Sequence, residues 1–190
     1  MLSKEVFDTL ESAYPNSART HESLAENYAA LRKVPEAEKE YRTALQIRPD
    51  APGIRLALGE LYQVAEEWPK AEEEFRAEAK LQPGDAETAY RLGAALLQNG
   101  KTKEARAELQ VADRLRPEMP ETLFALGKAA LLDGDLTLAE KAWSQVVAIE
   151  KSGSLAEQAH FSLAALYRRK GKTAEAEHEM ELFREMQRAK

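Results

Sequence analysis

Apolar and small residues in this chain keep a long, regular step. Ala37, Ala71, Ala105, Ala139 and Ala176 stand 34, 34, 34 and 37 residues apart. Four residues after each comes a large apolar side chain: Tyr41, Phe75, Leu109, Trp143 and Met180. Thirteen residues before each comes a leucine (Leu24, Leu58, Leu92, Leu126, Leu163), followed at once by a small residue (Ala25, Gly59, Gly93, Gly127, Ala164). A period of this length marks a repeat array, and such arrays present surfaces rather than reaction centres. The pattern predicts helices at 3–13, 20–33, 36–48, 54–66, 69–81, 86–98, 103–115, 120–132, 137–149, 155–170 and 173–188. No strand pattern competes with them.

Written out, the period reads leucine-small-x-x-tyrosine, then alanine-x-x-x-aromatic, then proline. Leu58-Gly59, Tyr62, Ala71, Phe75 and Pro83 show it in one unit, and Leu24-Ala25, Tyr28, Ala37, Tyr41, Ala44 and Pro49 in the unit before. In the last unit Leu163-Ala164, Tyr167 and Ala176 agree, while Met180 and Phe183 replace the usual aromatic and alanine. The chain thus resembles the tetratricopeptide repeat family, in the manner of bacterial helical repeat proteins, over essentially its whole length. The signature tryptophan is missing: His21, Arg55, Ala89, Leu123 and His160 occupy its place, which many members of the family relax. The resemblance implies an all-α, right-handed α-solenoid of tandem antiparallel helix pairs.

Elementary packing explains the columns. Two antiparallel helices approach closely where one offers a small residue and the other fills the remaining space. Pro49, Pro83 and Pro117 fall where the second helix must stop, because proline cannot continue a helix interior. Asn99-Gly100, Asp133-Gly134 and Lys170-Gly171 read as turns inside a unit. Pro35 and Pro69 stand at the equivalent junction as first-turn residues, and Thr102 with Glu104 resembles a helix start.

The phase divides residues 1–190 into one array: a half repeat at 1–15, repeats at 18–51, 52–85, 86–119 and 120–153, and a repeat with a carboxyl-terminal cap at 154–190. Three extra residues near Lys151, Ser152 and Gly153, where the expected proline is absent, predict a loosened junction, read as a longer turn rather than a hinge. Shifting the period back by 34 places Ser3, Phe7, Leu10 and Pro15 in the columns of Ala37, Tyr41, Ala44 and Pro49. Residues 1–15 therefore read as a second helix lacking its partner, with Leu2, Val6, Phe7 and Leu10 as an uncovered stripe. A reoriented cap, a cut within a longer repeat protein and a surface for homo-association all satisfy that pattern. The far end, with Glu175, Glu177, Glu181, Arg184, Glu185 and Arg188, reads as a charged cap.

The resemblance implies a groove on the first helices of successive units. Two residues before each leucine, away from the packing face, stand Glu22, Leu56, Tyr90, Phe124 and Phe161. From Leu56 onward this is an apolar ladder, which Leu97, Leu131 and Leu132 extend. Glu22, Glu26 and Glu60 flank its beginning, Arg91 and Lys128 its middle, and Arg168 and Arg169 its end. The candidate peptide-binding residues are therefore Leu56, Glu60, Tyr90, Arg91, Leu97, Phe124, Lys128, Leu131, Phe161 and Arg168. The expected ligand is a peptide or partner helix with bulky apolar anchors. The alternative reading of the ladder is that neighbouring first helices bury it as core. Glu22 and Glu26 have the wrong sign for the family's chaperone-binding carboxylate clamp.

Composition narrows the function further. Charged residues make up 32 % of the chain and the net charge is −6, which disfavours nucleic-acid binding. The local basic group Arg168, Arg169, Lys170 and Lys172 reads as a solvated helix end. Without cysteine there is no disulfide or thiolate chemistry. No run of about 18 apolar residues is present, so no membrane insertion is expected. The first twenty residues lack signal-peptide order, so placement is cytoplasmic by default, or periplasmic if a signal was removed.

His21 and His160 share the tryptophan column and read as packing residues, and His178 reads as solvent-facing. His21-Glu22 and His178-Glu179 begin like a zinc-protease motif, but Ala25 and Leu182 stand where its second histidine belongs. No glycine-rich phosphate loop occurs. The expectation is a non-enzymatic interaction scaffold without catalytic, metal or cofactor residues. The alternatives are an assembly module acting through the array ends and a regulatory appendage of a larger protein. If the columns are packing columns, Ala105→Leu costs about 1–3 kcal/mol, read as a lower urea midpoint with an unchanged slope.

Overall fold

The structure, a computed structural model, describes residues 16–188. The expected half repeat at 1–15, with its homo-association surface, lies outside the described residues. Ten helices and no strands occur among those residues. In chain order they are α1 (Ala18–Ala30), α2 (Val34–Ile47), α3 (Ile54–Val64), α4 (Trp68–Leu81), α5 (Ala86–Gln98), α6 (Thr102–Leu115), α7 (Pro120–Leu132), α8 (Leu136–Ile149), α9 (Ser154–Arg169) and α10 (Thr173–Arg188). The chain divides into two compact units, residues 1–84 and 85–190. The first holds the hairpins α1/α2 and α3/α4, with α2 packed on α3. The second holds α5/α6, α7/α8 and α9/α10, with α6 on α7 and α8 on α9.

Local chemistry starts the helices. Ser17 Oγ caps α1 by accepting from Thr20 N–H at 3.1 Å, and Asp85 caps α5 by accepting from Thr88 N–H at 2.8 Å. Asp135 caps α8 by accepting from Leu138 N–H at 3.0 Å. Such caps satisfy donors that have no partner within the helix. Pro35, Pro69 and Pro120 sit in the first turns of α2, α4 and α7, where a missing N–H does no harm. Thr102 departs from its expected role. It is the first residue of α6, and Lys101 takes the cap position without a side-chain cap bond.

Every hairpin turns through one left-handed residue. Arg32, Glu66, Gly100, Gly134 and Gly171 have φ of 57°, 59°, 73°, 83° and 72° and stand 34, 34, 34 and 37 residues apart, in step with the repeat. The next residue donates its N–H back over the helix end, as Lys33 does to Tyr28 O at 2.9 Å and Lys101 to Leu96 O at 2.9 Å. This is the Schellman ending, which glycine makes without strain. Arg32 and Glu66 adopt it against the steric preference of L-residues.

The hairpin cores follow the size complementarity of the columns. Phe75, Leu109 and Trp143 are buried against Gly59, Gly93 and Gly127, and Tyr41 and Ala25 are buried in the same columns. A Cβ added at Gly93 would lie 2.6 Å from Leu109 Cγ, and one at Gly59 would lie 2.5 Å from Phe75 Cε1. Trp143 Nε1 donates to Phe124 O at 3.1 Å, which satisfies its only polar atom. Glu78 breaks the pattern: it is fully buried in the column of Ala44 and Ala112. Its Oε1 accepts from Gly53 N–H at 2.8 Å, tying α4 to the start of α3.

The junction before the last hairpin is not loosened, contrary to expectation. Four residues, 150–153, separate α8 from α9, as four, 116–119, separate α6 from α7. The three extra residues lengthen the first helix instead: α9 has 16 residues where α7 has 13. Gly153, with φ of 111°, makes the turn without proline. Val146 of α8 shares one core cluster with Ala159, Leu163 and Leu166 of α9, so packing runs unbroken across the join.

Glu66→Gly removes a left-handed strain of about 1–2 kcal/mol and loosens the unfolded chain by about 0.4–1 kcal/mol. A net gain of about 0.5–1 kcal/mol follows from those two terms, visible as a raised thermal midpoint.

Candidate peptide-binding groove

The ladder residues are neither free nor hidden. Leu56 and Glu60 on α3 are half-buried in the first unit. In the second unit Tyr90 and Leu97 of α5 pack at the edge of the cluster formed by Leu109, Ala125, Leu126 and Ala129, and burial pushes the Tyr90 phenol above its usual range. Arg91 lies 5.9 Å from the Tyr90 ring centroid and its Nε donates to Glu87 Oε1 at 2.7 Å. Phe124 leans on Trp143 with ring centroids 6.3 Å apart. Phe161 is 52 % exposed, and its ring lies tilted against that of Phe183 with centroids 5.5 Å apart.

Phe124, Lys128 and Leu131 repeat at four and three residues and so share one face of α7. That face and the neighbouring face of α9 line an open cavity of about 680 Å³, with Trp143 of α8 and Phe183 and Gln187 of α10. Phe124, Leu131, Phe161 and Phe183 give it apolar walls, with Ala165 between them and Lys128 at the wall of α7. Its size falls in the range of ligand pockets, roughly 300–1,000 Å³. Four of the ten sequence candidates (Phe124, Lys128, Leu131 and Phe161) thus meet in one place. Leu132, the next residue on α7, is 65 % exposed and is absent from this lining.

Arg168 lies elsewhere. It lines a second cleft, with Glu177, Met180, Glu181, Arg184 and Arg188 of α10. Of the basic group around it, Lys170 and Lys172 turn to Glu140 of α8 (the Lys172 contact is 3.6 Å), so they join two hairpins. The Lys170 bond holds the Glu140 carboxyl below its usual range, with Lys172 adding to the effect and burial opposing it.

Sequence reasoning missed Phe183 and Gln187 as lining residues. Phe183 carried a signal, since it puts a ring in a column otherwise filled by Ala44, Glu78, Ala112 and Val146. Gln187 carried none: its bond to Glu157 Oε2 at 2.7 Å spans α10 and α9. The histidines also differ from expectation. His21 Nδ1 lies 2.6 Å from Glu40 Oε2, and His160 Nδ1 2.6 Å from Glu179 Oε2, each 19 residues on. Arg55 reaches Glu74 in the same way at 3.1 Å. A polar clip across the hairpin thus replaces the tryptophan in these units, where simple packing was expected. Glu74 is buried, and desolvation lifts its carboxyl above the usual range although Arg55 opposes this. His178 is exposed on α10, as its place in the sequence suggests.

These hairpins, with one small-against-large crossing each and an open face on the first helices, define a tandem helical-repeat protein. A family model described as tetratricopeptide repeat matches residues 2–52 and 56–120. The chain belongs to the tetratricopeptide repeat family, whose members are generally non-enzymatic protein-interaction scaffolds. Solved structures agree on the fold. MamA from Desulfovibrio magneticus RS-1 superposes with a TM-score of 0.85 at 20 % identity, covering 91 % of this chain and 96 % of that one. YrrB, described as a TPR protein with an unusual peptide-binding site, gives 0.83 at 20 % identity, covering 95 % and 92 %. PilF of Pseudomonas aeruginosa gives 0.73 at 20 % identity, covering 88 % and 75 %. No curated protein matches the sequence. Among the described residues no helix is long and apolar enough to cross a membrane.

Because the Glu140 carboxyl is held below its usual 4.5, its contribution is complete above that value and is lost as the pH falls through the depressed one. Glu140→Gln therefore lowers the thermal midpoint at pH 7 and shrinks the drop in midpoint between pH 7 and pH 3, as followed by circular dichroism.

Proposed function

We propose that the chain acts as a protein-interaction scaffold that holds a peptide or partner helix on the first-helix face of its repeats, with the cavity between α7 and α9 as the main seat. The observation that carries this reading is Phe161, a large ring left 52 % exposed over an apolar cavity of about 680 Å³. An isolated exposed apolar residue needs no explanation, but one set among Phe124, Leu131 and Phe183 around a hollow does. Full burial of one such anchor contributes about 1.5–3 kcal/mol before ordering costs. Tyr90 of α5 holds the same ladder position within the second unit, with Leu97 further along α5, and Leu56 holds it on α3 in the first unit. The family resemblance supports the same face.

The test compares the intact chain with Phe161→Ser and Tyr90→Ser in affinity capture from cell extract, read by mass spectrometry. Phe161→Ser should leave helicity and the thermal midpoint nearly unchanged, since the ring is already half in water. The expected outcome is loss of the specific partner with Phe161→Ser and weakening with Tyr90→Ser. Undiminished capture by both variants would move the function to the array ends or to the second-helix faces.

A further inference from the structure

We infer that the cavity between α7 and α9 selects a partner segment in which a bulky apolar side chain stands within about one helical turn of a carboxylate that meets Lys128. The inference rests on the groove reading above and names the chemistry of its ligand. Lys128 stands on the same face of α7 as Phe124 and Leu131, four residues after the one and three before the other. Its side chain is exposed and, among the described residues, forms no ion pair. The neighbouring cations of the same unit are engaged: Arg91 with Glu87, Arg106 with Asp133 and Asp135, Lys170 with Glu140.

Much of the rest of the polar lining is engaged within the fold. Glu157, the only carboxylate in the lining, is 5 % exposed and its Oε2 accepts from Gln187 Nε2. Gln158 Nε2 donates to Ser154 O at 3.2 Å, and Ser162 Oγ donates to Gln158 O at 2.7 Å, both within α9. Lys128 is therefore the one exposed charge among these lining residues, beside an apolar hollow. A carboxylate arriving with the anchor completes an ion pair in a partly dehydrated setting, where a charged hydrogen bond is stronger than in open water. An ammonium in its place meets Lys128 as a like charge, and such juxtapositions exclude wrong partners.

The experiment pans a random dodecapeptide phage library on the purified full chain, on Lys128→Glu and on Phe161→Ser, with circular dichroism to show that all three fold. The expected result is enrichment of peptides with Phe, Leu, Ile or Trp three or four positions from Asp or Glu, in one constant order. Panning on Lys128→Glu should put Lys or Arg at the position of that carboxylate, and Phe161→Ser should enrich neither set. In fluorescence anisotropy a selected peptide should bind Lys128→Glu about tenfold more weakly, the loss of one interfacial charge pair. Enriched apolar anchors without a charge preference, or a preference that Lys128→Glu leaves intact, would overturn the carboxylate inference while the groove reading stands. No enrichment beyond the Phe161→Ser control would overturn both. A dimer in sedimentation velocity that Phe161→Ser dissociates would make a second copy of the chain the occupant, and so would also overturn the inference.

Discussion

One contact holds each repeat together: a small residue on the first helix faces a large one on the second. The crossing at Gly59 and Phe75 shows how tight it is, because a single added carbon would sit 2.5 Å from the ring. Close-packed interiors do not absorb such an intrusion without moving side chains or backbone. The same closeness lets the hairpin bury its core with only two helices. Everything else follows from this pairing. It fixes which face of the first helix is inside, and therefore which face is left over.

That leftover face is where function has room to act. Leu126 and Gly127 turn into the hairpin, so Phe124 and Lys128, on either side of them in sequence, come out on another arc of α7. Phe161 does the same on α9 two residues before Leu163. A repeat protein therefore carries its candidate ligand contacts at constant offsets from its packing residues, and neighbouring hairpins build one surface from many short helices. The end of the second unit adds Phe183 to that surface, in a column that the other repeats fill with smaller side chains or with the bonded Glu78.

In three of the five described hairpins a polar clip gives a second fastening in the column of the missing family tryptophan. His21 with Glu40, Arg55 with Glu74 and His160 with Glu179 each join helices across 19 residues. Leu123 and Ala89 hold the same column in the other two units and are buried there instead. Burying one polar group obliges the facing helix to supply its partner, which is why the glutamates recur at that offset. The Glu140–Lys170 bond does the equivalent between hairpins.

The periodicity by itself determined the helix count among the described residues, their ends to within three residues, the buried columns and the turn glycines. Those features depend on contacts between residues at fixed short separations, so they leave a repeated mark along the chain. It also placed Phe124, Lys128, Leu131 and Phe161 on one face. Only the tertiary structure decided that these four surround a hollow with Phe183, that Arg168 belongs to a different cleft, and that the three inserted residues lengthen α9 rather than the junction. Whether an apolar side chain ends half in water or wholly inside depends on how far apart neighbouring helices stand. That spacing is set jointly by many side chains from several elements, and no single column of the repeat records it.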